Sequence, residues 1–157
     1  MVRALAIEHL TRHPGLIPLL AEWFVAEWPA WYASGGPGNI DQDLRAFATS
    51  ETALPIGFVA FLEGRPVAAG ALKAESIPSH AHLSPWASAG YVVPEHRGQG
   101  IGAGLLAAML KHAQELGYPH VYCGTSTAES LLRRSGWSVI ELTQHAGNPL
   151  TVFRSAA

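Results

Sequence analysis

The chain has 157 residues, of which 48% are hydrophobic and 14% charged, with a formal net charge of −2. That length supports one domain with its own core, read here as spanning residues 1–157, and the charge gives no reason to expect a nucleic-acid or anionic-membrane partner. No run approaches the ~20 apolar residues of a membrane span, and the lone cysteine, Cys123, leaves no intrachain disulfide framework and suits a cytoplasmic location, as does an N-terminus without a signal-peptide apolar stretch.

Residues 2–7 read as a short strand. Pro14 is placed to open a helix at its first turn, and Leu16, Leu19, Leu20, Trp23, Phe24 and Ala26 or Glu27 keep helical spacing until Pro29 ends or kinks it. Gly35-Gly36-Pro37-Gly38 is a loop, after which Asn39 or Asp41 is placed to cap a helix carrying Leu44, Phe47 and Ala48. Residues 56–62 and 67–72 are strands around a Glu63-Gly64-Arg65-Pro66 turn. Residues 76–85 form a polar loop, and 87–93 a further strand. A helix over 102–116 buries Leu105, Leu106, Met109, Leu110, Ala113 and Leu116, with Gly117 as its C-terminal cap. Residues 120–124 form a strand, Ser126-x-x-Glu129 reads as a capping box, and strands at 137–142 and 150–153 complete the sheet. Antiparallel strands early and a helical crossover late give an α/β fold with a mixed, mostly antiparallel sheet flanked by helices.

The most informative stretch is Tyr91-Val92-Val93-Pro94-Glu95-His96-Arg97-Gly98-Gln99-Gly100-Ile101-Gly102-Ala103-Gly104. Four alternating glycines stand where an apolar strand gives way to a helix. Glycine admits positive φ and lets a ligand reach the main chain, and a helix N-terminus supplies unpaired N–H groups and a positive dipole end. The pair makes a socket for a phosphate or pyrophosphate. A P-loop requires Gly-Lys-Ser/Thr at its end, and no such Lys follows Gly98 and Gly100. The dinucleotide fingerprint is formally met by Gly98, Gly100 and Ala103, but the next strand lacks the acidic residue that binds the ribose.

Arg97-Gly98-Gln99-Gly100-Ile101-Gly102 resembles the Arg/Gln-x-x-Gly-x-Gly/Ala motif of the GNAT superfamily of acetyl-CoA-dependent N-acetyltransferases, and Leu131-Leu132-Arg133-Arg134-Ser135-Gly136-Trp137 is similar to its second signature. The resemblance implies a GNAT-type N-acyltransferase fold and a direct transfer from acetyl-CoA, as co-substrate, to a primary amine in a ternary complex. The implied acceptor is a small-molecule or peptide amine, with no metal required, and a homodimer stays open. It further implies that the main chain of Gly98, Gln99, Gly100, Ile101, Gly102 and Ala103 binds the pyrophosphate, with Arg97 adding charge. On the preceding strand, Tyr91 N–H faces the thioester oxygen, Val93 N–H and C=O pair with pantetheine, Val92 between them also belongs to the cofactor-binding set, and Gly90 suits a bulge. Thr125, where the family often has Asn, is implied to join the cofactor-binding set, and Leu132 stands where the family usually has a Tyr general acid.

An alkyl amine with a pKa near ~10.4 must lose a proton before it attacks. The strand before the cradle has no Glu, which leaves His80, His82, Glu75, Glu22 and Glu27 as candidate bases. Tyr32, Tyr122, Ser126 and Ser130 are candidate acids, unless the thiolate leaves unaided. His80-x-His82 lacks a third ligand for a metal, and Cys123 reads as a core residue rather than a nucleophile. Trp23, Trp28, Trp31 and Tyr32 cluster where an acceptor side is expected. A non-catalytic acyl-CoA-binding module is the alternative reading, with an NAD-binding fragment behind it.

Overall fold

A computed structural model describes residues 4–74, 80, 82–145 and 147–155. The start of the first predicted strand, at residues 2 and 3, and residues 76–79 and 81 of the polar loop lie outside these. Seven strands form one sheet in the order β1-β2-β3-β4-β5-β7-β6. They are β1 (Leu5–His9), β2 (Ile56–Leu62), β3 (Arg65–Lys73), β4 (Trp86–Val92), β5 (Tyr122–Thr125), β6 (Ser138–His145) and β7 (Asn148–Arg154). Only β4 and β5 run parallel; the other neighbours are antiparallel.

The sheet is buried on both faces at its centre because helices cover each. α4 (Ile101–Glu115) packs Ile101, Leu105, Leu106, Met109 and Ala113 onto Ile56, Phe58, Ala60 and Leu72. On the other face α1 (Ile17–Glu27) and α3 (Ile40–Phe47) bring Leu20, Phe24, Leu44 and Phe47 against Val59, Ala69 and Ala71. Alternate residues of a strand point to opposite faces, so the small side chains of β3 serve one helix layer and then the other. Leu110 and Leu116 are half-buried at the margin of the first layer.

Several ends differ from the sequence expectation for local reasons. Pro14 begins a short 3₁₀ turn, Pro14–Leu16, and α1 starts at Ile17 with Pro18 in its first turn. Pro29 ends α1 and opens a single further turn, α2 (Pro29–Tyr32). Asn39 is the cap of α3, its Oδ1 accepting from Gln42 N–H at 3.0 Å. Gly117 closes α4: its N–H reaches Gln114 C=O at 3.0 Å and Tyr118 N–H reaches Ala113 C=O at 3.0 Å. The capping box predicted from Ser126 does not form. Thr125 takes the role, its Oγ1 accepting from Thr127 N–H at 3.1 Å and Ala128 N–H at 2.9 Å ahead of α5 (Glu129–Arg134).

Candidate active site

β4 and β5 share one register pair, Trp86 with Tyr122, tied by Tyr122 N–H to Pro85 C=O at 2.9 Å. Beyond that pair they part. The gap is a cleft of about 620 Å³ walled by residues 87–92 of β4, residues 123–128 of β5 and its following turn, and Leu105, Leu106 and Met109 of α4. A bulge shapes the β4 wall. Ala69 faces Tyr91 and Ala71 faces Ser88, so two residues of β4 stand opposite Gly70. Gly90 was the expected site of this irregularity. The structure places it over Ala89 and Gly90, and Ala89 takes the left-handed conformation at φ 54°.

The bulge decides which main-chain groups face the gap. Val93 N–H donates to Val67 C=O at 2.9 Å, and Val93 C=O accepts from His96 N–H at 3.0 Å. In an antiparallel ladder, alternate residues turn their main-chain groups to the same neighbour. Tyr91, opposite Ala69, therefore faces β3 as Val93 does, while Gly90 and Val92 turn theirs to the open side. Arg97 Nε donating to Val92 C=O at 2.8 Å from that side agrees with this phase. The donors and acceptors expected of Tyr91 and Val93 thus fall one residue away, on Gly90 and Val92. The Tyr91 side chain serves packing, stacked on Trp23 at 5.4 Å.

The cradle lies at one end of the cleft. Pro94–His96 make a 3₁₀ turn, Gly98 and Gly100 both take positive φ, and Gly100 is the N-terminal cap residue of α4. A Cβ added at Gly98 or Gly100 would meet no heavy atom within 4 Å; it would project into open space. That space is a second cavity of about 370 Å³, which shares Val92, Gly102 and Leu131 with the first and so adjoins it. Ile101 and Ala103 also line it through the first turn of α4, whose early N–H groups have no partner within the helix. Ile101's side chain is itself core.

Nitrogen-bearing side chains surround this cavity, two of them guanidinium groups. His96, Arg97 and Arg134 line it, and Glu27 sits 3.5 Å from Arg97, whose guanidinium also lies 5.4 Å above the Tyr91 ring. The sequence reading gave no role to Arg134. Its signal is the position: it is the last residue of α5, one turn below Gly102's neighbour Leu131. Gln99 lies outside the lining and bridges its own turn, its Nε2 donating to Glu95 C=O at 3.4 Å. The set suits a pyrophosphate: an open glycine main chain, a helix start and two guanidinium groups.

The proton-handling candidates disperse. Ser130 is exposed, accepts from Arg134 Nη1 at 2.9 Å and lines neither cavity. Tyr32 lines the cleft, but burial, and then its hydrogen bond to Asp43 at 2.6 Å, push its hydroxyl well above the usual tyrosine range. Tyr122 packs against Trp86 at 5.8 Å and is not a wall residue. Ser126 is, and it is exposed. Leu132 is 1% exposed in the main core and forms part of the cleft floor. Thr125 also lines the cleft with its oxygen committed to the α5 cap. Burial pushes the Cys123 thiol up to about 12.

Of the candidate bases, Glu27 is turned to Arg97, Glu22 is exposed on α1, and His80 bonds Glu141 on β6 with His82 stacked beside it. Glu75 lies outside the described residues. Among the described residues no carboxylate or imidazole lines the cleft, no three His, Cys, Asp or Glu side chains gather as metal ligands, and no helix is long and apolar enough to cross a membrane.

Comparison with known proteins agrees with this architecture. No curated protein matched. Among solved structures, yncA of Salmonella typhimurium, crystallised with its cofactor acetyl-CoA, superimposes with a TM-score of 0.76 at 16% identity, covering 98% of this chain and 94% of that one. An aminoglycoside 6'-N-acetyltransferase complexed with coenzyme A gives 0.76 at 14% identity, covering 96% of each chain. A ribosomal-protein-alanine N-acetyltransferase from Brucella melitensis gives 0.72 at 20%, covering 97% and 99%. These likenesses establish the fold. The model of the acetyltransferase (GNAT) family matches residues 17–136, which takes in the α1 layer, the opened β4–β5 seam, the glycine cradle and Gly136, and the chain belongs to that family.

Proposed function

We propose that the protein transfers the acetyl group of acetyl-CoA to a primary amine by direct attack in a ternary complex. The observation that carries this reading is a glycine cradle lined by Arg97 and Arg134 that adjoins the cleft along the open edge of β4. Acetyl-CoA supplies an activated acyl carbon on a thiol leaving group. The chain's part is to bind and orient it. N–H groups of the cradle and Arg97 and Arg134 hold the pyrophosphate. Val92 pairs along the pantetheine arm. Gly90 N–H, rather than Tyr91 N–H, points at the thioester oxygen, and one such donor contributes about 3 kcal/mol. Glu27 fixes the Arg97 guanidinium and is a positioning residue in this reading.

Two features of the site support direct attack. A thiol with its pKa near 12 is a poor nucleophile, so Cys123 offers no acyl-enzyme route. A leaving thiol with an ordinary pKa of ~8.5 departs as thiolate without a side-chain acid, which fits Leu132 at the cleft floor. No described wall residue takes the amine proton, so it passes to solvent and the rate follows the amine's own ionisation.

The test is thiol release from acetyl-CoA across a panel of amines and pH values. Release that depends on the amine, with kcat/KM rising with pH until the amine is deprotonated, supports the reading. Tight CoA binding with no amine-dependent release would instead make the protein a non-catalytic acyl-CoA-binding module.

A further inference from the structure

We infer that the acceptor is a small aromatic amine bearing a carboxylate, held between an aromatic wall of Trp28, Trp31 and Tyr32 and the ammonium of Lys73. The inference rests on the N-acetyltransferase reading and names its substrate class. All four residues line the larger cleft and none lines the cradle, so they sit at the end away from the pyrophosphate.

The wall is built rather than incidental. Trp31 is 48% exposed, yet its position is fixed: Gly38 N–H donates to Trp31 C=O at 2.8 Å, and a Cβ at Gly38 would run into the indole. The loop backs one side of the ring and leaves indole surface open. Trp28 is locked by an edge contact with Phe24 at 5.2 Å, and Tyr32 by its bond to Asp43. Rings held this way give a flat ligand contact area at low entropic cost.

The charge points the same way. Lys73 is the charged side chain in the cleft wall among the described residues, and it makes no ion pair among them. A half-buried cation that no described carboxylate pairs with favours an anionic ligand group and rejects a polycation. Asp43 lies behind Tyr32, bonded to its hydroxyl, and is not part of the wall. An aromatic amino acid meets both demands: its ring covers Trp31 and its carboxylate meets Lys73. Its neutral amine nitrogen bonds the thioester carbon, the C–S bond breaks with its electron pair on sulfur, and the amine proton goes to solvent.

The experiment compares tryptophan, tryptamine and kanamycin as acceptors for the full chain, by thiol release. Tryptophan should exceed tryptamine about tenfold in kcat/KM, the size of one charge-assisted contact. Lys73→Met should bring tryptophan down to tryptamine's level, and Lys73→Arg should restore the preference. Equal use of both amines, or a preference for kanamycin, overturns the inference while leaving acetyl transfer in place. CoA binding without release from any amine overturns both.

Discussion

Gly100 carries two demands at one position. Its φ of 83° belongs to the left-handed region, and its missing Cβ keeps the cradle open. Gly100→Asp violates both, with backbone strain of roughly 1–2 kcal/mol and a carboxylate where a pyrophosphate belongs. The protein should still fold, with CoA affinity lower by at least about 100-fold in calorimetry; full affinity in a folded variant would remove the cradle from the site. Cys123 makes the opposite case, a reactive atom type in an inert setting. With its thiol pushed up to about 12, Cys123→Ser should keep most activity, and mass spectrometry after incubation with acetyl-CoA alone should show no acetyl adduct. An adduct on Cys123 would replace direct attack with a two-step route.

At the scale of elements, the turn between β5 and α5 hangs on one hydroxyl. Thr125 Oγ1 accepts two main-chain N–H groups, and Thr125 is 9% exposed. Thr125→Val keeps the shape and removes the acceptor, so stability should fall by about 1 kcal/mol, read by urea denaturation. Thr125→Ser should recover most of it; an unchanged midpoint for Val would show that the cap contributes nothing. This turn also marks where sequence reading stops. α4 and its cradle are legible because glycine, helix and apolar stripe are all local signals within fifteen residues of one another. The choice of Thr125 over Ser126 depends on where β5 ends, and the pairing of His80 with Glu141 spans 61 positions. The phase of β4 is harder still. Tyr91 and Val93 carry the pattern of the family, yet Gly90 and Val92 present their main chain, because one bulge at Ala89 and Gly90 sets the alternation. A strand's apolar pattern fixes which side chains are buried; only the ladder fixes which N–H is spare.

For the whole molecule, acid stability gathers at one junction. His9 of β1 meets His112 of α4 at 4.5 Å between ring centres, and His112 Nε2 bonds Glu51 C=O at 2.6 Å. Arg12 and Thr11 both hold the Glu51 carboxylate, which with smaller help from His9 lowers it to about 2. Burial, and to a lesser extent His112 and Arg12, lowers the His9 pKa, while Glu51 and Glu115 oppose the shift. A histidine with a folded pKa below its unfolded value contributes its full stability above ~6.5 and loses it as pH falls through the folded value. Glu51 also has a depressed folded pKa, so its share is lost later, as pH falls from about 4.5 towards 2. The melting temperature should therefore drop in two stages on acidification, and His9→Gln should flatten the first. A first stage that survives in that variant would assign it to another group.

The sheet is joined across its middle by a single register pair, so its two halves are held together chiefly by the core that Val121, Leu132, Trp137 and Phe153 share with α4. Coenzyme A laid along Gly90 and Val92, as proposed, stitches them, and only the folded molecule offers the seam. Occupancy at a hundred times Kd then lowers the folded free energy by about 2.7 kcal/mol. Saturating coenzyme A should therefore slow digestion of the folded chain by a nonspecific protease, measured with and without the ligand; an unchanged rate would show that the seam gains nothing from being filled.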